Sequence, residues 1–206
     1  MIKKSIAFTL AESLLVMAVI GIVATLVVPN LKNNSDDQVY VAKARKIYSE
    51  LETAYERATL KYGNPRDWPQ DQTEAHLQAF LNVKKVCTED TCTQEMLGCG
   101  KNYTILKDGS SYCVQRADIF NFVIIPFDVD GAQKGYNTIG KDCFNSFIHL
   151  RDGIRGNSVF LAHSPFVPGE SDTAPTDANF LQWVLDYGNI DYNNCEVKWE
   201  TKTSCK

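Results

Sequence analysis

Three groups of residues in this chain have the types and spacing to do chemistry. The first is a single carboxylate, Glu12, inside the apolar run from Phe8 to Val28. A charge among aliphatic neighbours costs about 2.5–3.5 kcal/mol on membrane-insertion scales, so either Glu12 sits shallow enough to reach headgroups or is protonated, or it has a functional role there. The second is Asp128-Val129-Asp130-Gly131, followed by Asp142 after Gly140. Alternating Asp in a Gly turn is one way a loop supplies oxygen ligands to calcium, with Asp128, Asp130 and Asp142 as the candidate ligands. The EF-hand spacing is incomplete, with Gln133 in the loop and no closing Glu, and Asp and Gly also build turns without a metal. The third group is the seven cysteines. Cys87, Cys92 and Cys99 do not form CxxC pairs and His76, His149 and His163 are scattered, which argues against zinc. The chain has no Gly-Lys-Ser/Thr phosphate loop, no His-Glu-x-x-His and no Gly-x-Ser-x-Gly, and His163-Ser164 adjacency is no catalytic pair, so it reads as a non-enzyme.

The elements that must position these groups follow from pattern. Met1 to Ala7 is a short basic leader carrying Lys3 and Lys4. Phe8 to Val28, as a helix, is about 31 Å long and matches a bilayer core of about 30 Å. The positive-inside rule then keeps the leader in the cytoplasm and sends the rest across. Val27-Val28-Pro29-Asn30 is a poor site for signal peptidase, which weighs against an ordinary secretory signal. Ser35 with Gln38 fits a capping box, so a helix can restart at Asp36. From Val39 to Tyr62, Tyr40, Ala44, Ile47, Tyr48, Leu51, Tyr55, Ala58 and Tyr62 recur at three and four and form one apolar stripe.

Gly63-Asn64-Pro65 ends that helix. Thr73 opens a short helix through Leu81, and Cys87, Cys92 and Cys99 read as a polar loop. Tyr103–Leu106 and Ser111–Gln115 flank a Lys107-Asp108-Gly109-Ser110 turn and predict a hairpin. Ile119–Phe127 predicts a central strand, Phe144–Leu150 and Ser158–Ala162 two more, and Thr176 starts a helix through Tyr187 closed by Gly188. Helix first and antiparallel strands after is an α+β pattern.

Lys3-Lys4, a small residue at position 7, then Phe8-Thr9-Leu10-Ala11-Glu12 and a long apolar helix together resemble the N-terminus of type IV pilins and pseudopilins. The resemblance implies cleavage between Ala7 and Phe8 by a prepilin peptidase and N-methylation of Phe8. It also implies assembly in which the Phe8 amine of one copy pairs with Glu12 of a neighbour. Gly21 and Pro29 fall where that family places helix-weakening residues. Ala7 stands where Gly is usual, and Ala11 where a larger apolar residue is common. Looser similarity to one pilin-like subgroup extends over Asp108-Gly109, over 128–144, and over Trp183-Val184 with Gly188–Tyr192.

The expected organisation is therefore a leader over 1–7, a transmembrane and assembly helix over 8–30, and a pilin-like head over 31–206. In that head the second half of the long helix packs on an antiparallel sheet. The expected role is a pilus subunit, inserted single-pass in the inner membrane before assembly into an extracellular or periplasmic fibre for adhesion, motility or DNA uptake. Its partners would be copies of itself, related pilins, the peptidase, the inner membrane and the assembly machinery. Two alternatives stay open: a type II secretion pseudopilin, which a metal-bound loop would favour, and a membrane-anchored binding protein that does not polymerise.

Formal net charge is −4, and loss of Met1–Ala7 removes two lysines and no acid, leaving 19 basic against 25 acidic side chains, net −6. Such a chain does not attract nucleic-acid phosphates over its whole surface, and DNA uptake would rest on a local basic patch. Seven cysteines behind an export segment predict disulfides, with one thiol left over. The expected bridges are Cys195–Cys205, and one joining the Cys87–Cys99 segment either to itself or to Cys113. No cofactor other than calcium is suggested.

Overall fold

The computed structural model describes residues 10–117, 121–132, 134, 137–150, 158–164 and 169–205. The chain is α+β with a seven-stranded antiparallel sheet. Its helices are α1 (Leu10–Tyr62), α2 (Thr73–Gln78) and α3 (Phe180–Tyr187). Its strands are β1 (Val83–Cys87), β2 (Tyr103–Leu106), β3 (Ser111–Tyr112), β4 (Gln115–Ala117), β5 (Phe122–Asp128), β6 (Cys143–His149) and β7 (Val159–Leu161). The order across the sheet is β1-β2-β3-β5-β6-β7, with β4 also on β5. Compact units divide at Asp37/Gln38.

Among the described residues no helix is long and apolar enough to cross a membrane. This corrects two expectations: a membrane-spanning half of the N-terminal helix, and a single-pass inner-membrane protein. The described apolar stretch Ala11–Ile22 holds Glu12 and Ser13 near its start. Beyond Asp36 the helix carries a charge at roughly every third position, and such a sequence cannot sit in lipid.

In the unit from Gln38 onward, the three-and-four stripe becomes the core contact. Val41, Ala44, Ile47, Leu51, Tyr55 and Ala58 are buried and pack in one cluster with Leu106, Tyr112, Val123, Ile125, Phe127 and Ile148. The sheet residues follow from register. Val123 pairs with Ile148, Ile125 with Ser146 and Phe127 with Phe144, so alternate residues of β5 and β6 share the face that meets α1. Buried Ser146 satisfies its hydroxyl on the Ile125 carbonyl at 3.2 Å.

Two smaller clusters complete the packing. Cys87, Cys92, Met96, Tyr103, Cys113 and Ala132 form one. Trp183, Val197 and Trp199 form the other, beneath the C-terminal tail. Helix α3 ends at Gly188, whose φ of 67° is a left-handed cap. The Arg45 guanidinium donates to the Val184 and Leu185 carbonyls at 3.2 and 2.8 Å, satisfying acceptors that a helix end leaves open. Three disulfides are formed: Cys87–Cys92, Cys99–Cys113 and Cys195–Cys205. Bonds of this kind form and persist in oxidising environments.

Candidate functional site

Glu12 lies in the first turn of α1. Ala7 and Phe8 lie outside the described residues. Downstream of Glu12, Leu14, Leu15, Val16, Met17, Val19, Ile20 and Ile22 are each at least half exposed. Gly21 sits among them, with open space where a Cβ would be. Pro29 falls within the bounds of α1. A run of seven large apolar side chains facing outward exceeds the scattered apolar residues of an ordinary surface.

The acidic loop joining β5 to β6 is built by turn chemistry. Asp128 is fully buried, and its Oδ1 accepts the backbone N–H groups of Asp130 and Gly131 at 3.1 and 2.8 Å. Asp142, equally buried, accepts the N–H groups of Asn137 and Thr138 at 2.9 and 2.6 Å. Its own carbonyl receives the Val129 N–H at 2.9 Å. Both acids therefore brace the loop, as Asx-type turns do. Asp128 Oδ2, Asp130 Oδ1 and Asn137 Oδ1 are buried without a hydrogen-bond partner. Among the described residues no group of three or more His, Cys, Asp or Glu side chains is placed to hold a metal ion. The calcium expectation thus gains no ligand set here.

Burial pushes the Asp128 carboxyl up to about 7, the adjacent Asp130 carboxylate adding to the shift against the two backbone N–H bonds. Cys143, the cysteine left out of the three disulfides, is buried at the start of β6. Burial raises its thiol pKa, and Asp128 and Asp142 raise it further, so it stays a protonated, weakly reactive thiol at neutral pH.

On the sheet face away from α1 a cavity of about 210 Å³ is lined by Leu97, Gln115, Ile124, Pro126, Ile139 and Cys143, among others. The C-terminal loop is organised by Asn189. It accepts from the Trp183 indole at 2.9 Å and donates to the Thr203 carbonyl at 2.9 Å, and Asp191 accepts the Cys205 N–H at 2.8 Å. The role of Asn189 was invisible in the sequence, where Gly188-Asn189 reads only as a helix stop. The orphan oxygens of the acidic loop had a partial signal in the Asp-x-Asp-Gly spacing.

Comparison with known families, with characterised proteins and with solved structures finds no match to this chain.

Proposed function

We propose that this chain is a structural subunit of a type IV pilus, trimmed before Phe8, N-methylated there and polymerised through its N-terminal helix. The observation that carries the reading is the Phe8-Thr9-Leu10-Ala11-Glu12 motif heading a helix whose described apolar side chains face outward. Helices of neighbouring copies packed side by side cover that face. Removing apolar area from water stabilises the assembly by about 25 cal/mol per Å². Pairing the Phe8 amine of one copy with Glu12 of the next fixes the stagger, because a register that separates the charges strands both in an apolar place, at about 3–5 kcal/mol.

The disulfide-bonded unit from Gln38 onward is then the part that the fibre displays, for adhesion, motility or DNA uptake. The partners are further copies and related subunits, a prepilin peptidase and the assembly machinery. The role is structural and needs no catalytic group or cofactor. Mass spectrometry of the native mature N-terminus tests the reading. A methylated Phe8 is the expected result, and a functioning protein that retains Met1–Ala7 overturns it.

A further inference from the structure

Lys46, Glu50, Thr53, Arg57 and Lys61 follow one another along α1 at spacings of three and four, so they share one side of the helix. Between this side and the β2–β3 turn lie two neighbouring clefts of about 330 and 200 Å³, which have Glu50 and Asn82 in common. Lys46, Lys107 and Asp108 line the first and Arg57 the second. Both acids of this groove are already engaged by Lys46, Asp108 at 2.7 Å and Glu50 at 3.6 Å. Arg57 and Lys107 are exposed and form no ion pair among the described residues. Lys61 lies over the Tyr62 and Phe80 rings, 4.8 and 5.7 Å from their centroids, and Phe80 belongs to the wall of the second cleft. The groove thus offers cations whose charge nothing in the same chain answers.

The opposite flank of the same unit is acidic. Tyr55, half-way round the helix from Lys46, packs with Tyr48 on Phe160 of β7, and Arg45 holds the end of α3. In the sheet, β1 and β7 are the two edges. Residues 169–205 carry seven acidic side chains against two basic ones, Lys198 and Lys202. The whole chain is net −4, so this segment, at net −5, holds all of its negative excess. Glu170, Asp172, Glu196 and Glu200 are exposed and gathered on one surface. The Asp172 N–H donates to the Trp199 carbonyl at 3.0 Å, and the Trp199 N–H to the Thr173 carbonyl at 2.8 Å. Lys198 is engaged by Asp172 at 3.4 Å.

We propose that the groove between α1 and the β2–β3 turn of one copy receives the acidic C-terminal edge of a second copy, with Arg57 and Lys107 meeting its carboxylates. The inference rests on the fibre reading for what brings copies side by side, and adds the contact that orients their disulfide-bonded units. Two unlike patches on opposite flanks make a heterologous contact, which leaves each copy with a free groove at one side and a free acidic edge at the other. Such a contact extends a series of copies instead of closing a symmetric pair. A groove-to-groove pair would set Arg57 and Lys107 against their own kind, an arrangement that like charge disfavours. Complementary charge fixes orientation and register, while the apolar face of α1 supplies area.

The test is carbodiimide cross-linking of the full chain, which joins a lysine amine directly to a carboxylate in contact with it. Unlabelled and isotope-labelled copies are mixed, so that mass spectrometry separates links between copies from links within one. Links between copies are expected from Lys107 or Lys61 to Glu170, Asp172, Glu196 or Glu200. Arg57→Glu keeps both lysines and is expected to lower their yield at least about tenfold, whereas Arg57→Lys stays within about twofold of the wild type. Urea midpoints of the two variants, matched to the wild type, show that folding is intact. Links that join groove to groove, links absent between copies, or a yield indifferent to Arg57→Glu would each overturn the contact. Electron microscopy of the same samples keeps the two readings apart. Filaments without groove-to-tail links reject the contact and leave the fibre, and groove-to-tail links without filaments do the reverse.

Discussion

The Tyr55 hydroxyl donates to the Ser158 carbonyl oxygen at 2.6 Å, in a buried contact between residues 103 positions apart. It ties the buried face of α1 to the residue that opens β7, while the Tyr55 and Tyr48 rings flank Phe160 at centroid distances of 5.6 and 5.3 Å. Burial raises the Tyr55 phenol pKa, with Thr59 opposing and Glu56 adding to the shift, so the proton needed for this bond stays in place through the neutral range. Tyr55→Phe keeps the ring contacts and deletes the donor. It is expected to destabilise the folded unit by about 1–3 kcal/mol, the range for a buried acceptor left unsatisfied, measured by urea unfolding.

A second α1 contact is electrostatic. Lys46 Nζ meets Asp108 Oδ2 at 2.7 Å with side chains 53% and 30% exposed. For Asp108, burial works to raise the pKa, but the hydrogen bonds from Lys46 and Ser110 outweigh it and the net shift is downward. A depressed folded pKa contributes stability that is present above the unfolded value and disappears as pH falls through the folded one. Exposure keeps the amount below about 1 kcal/mol. Asp108→Asn is therefore expected to cost little at pH 7, progressively less as pH falls below the ordinary carboxylate range, and less at high salt. A cost unchanged by acid or by salt would show that Asp108 acts through its turn alone.

The C-terminal bridge is a third place where a local change has a defined cost. Cys195–Cys205 closes a loop of sequence separation 10, and closing a loop of that length lowers denatured-state entropy by the equivalent of roughly 2–3 kcal/mol. Replacing both cysteines by Ser is expected to lower stability by about that amount. The loss should be partly offset because Asn189 still binds the Thr203 carbonyl. Unfolding curves of the double variant against the oxidised wild type check this.

What could be read in advance tracks how local the cause is. The stripe from Tyr40 to Tyr62 predicted both the helix and its buried face, because a three-and-four pattern is written in consecutive turns. Central strand β5 was also legible, since its run of Phe, Val and Ile needs no partner to identify it. Strand β1 was missed and read as a loop. Lys84 and Lys85 hide it, and exposed lysines are what an edge strand uses to discourage further pairing. The strand expected over Ser111–Gln115 instead divides into β3 and β4, both on β5, because pairing registers depend on the partner. The membrane span expected over 8–30 is not found, since among the described residues no helix is long and apolar enough to cross a membrane. The burial of Asp128 and Asp142 arises from tertiary packing, so the Asp-x-Asp-Gly spacing alone could not show that both side chains brace turns.

Glu12 separates assembly from folding. It belongs to the unit ending at Asp37, apart from the unit that begins at Gln38. Glu12→Leu is expected to leave the unfolding midpoint of the disulfide-bonded unit unchanged while sharply reducing its incorporation into filaments, by electron microscopy of sheared material. In the proposed fibre the deficit would follow from an amine on Phe8 that no longer meets a carboxylate in the neighbouring copy. Filaments in normal number from Glu12→Leu would remove the pairing from the proposed mechanism.

Gly131 is the backbone counterpart of the acidic loop. Its φ is 93°, outside the range side-chain-bearing residues adopt without strain, and a Cβ there would overlap the Gly109 carbonyl oxygen on the β2–β3 turn. That oxygen belongs to backbone held by the Leu106–Ser110 bond at 2.8 Å, so it cannot swing away as a flexible side chain would. Gly131→Ala therefore combines a left-handed conformation, about 1–2 kcal/mol, with a steric clash, and the expected loss exceeds about 2 kcal/mol. Gly63 gives the contrast, with φ of 83° but nothing within 4 Å of its Cβ position. Gly63→Ala should cost only the conformational part. Urea unfolding of the two variants side by side measures the contact directly, and equal losses would mean that the Gly109 turn yields.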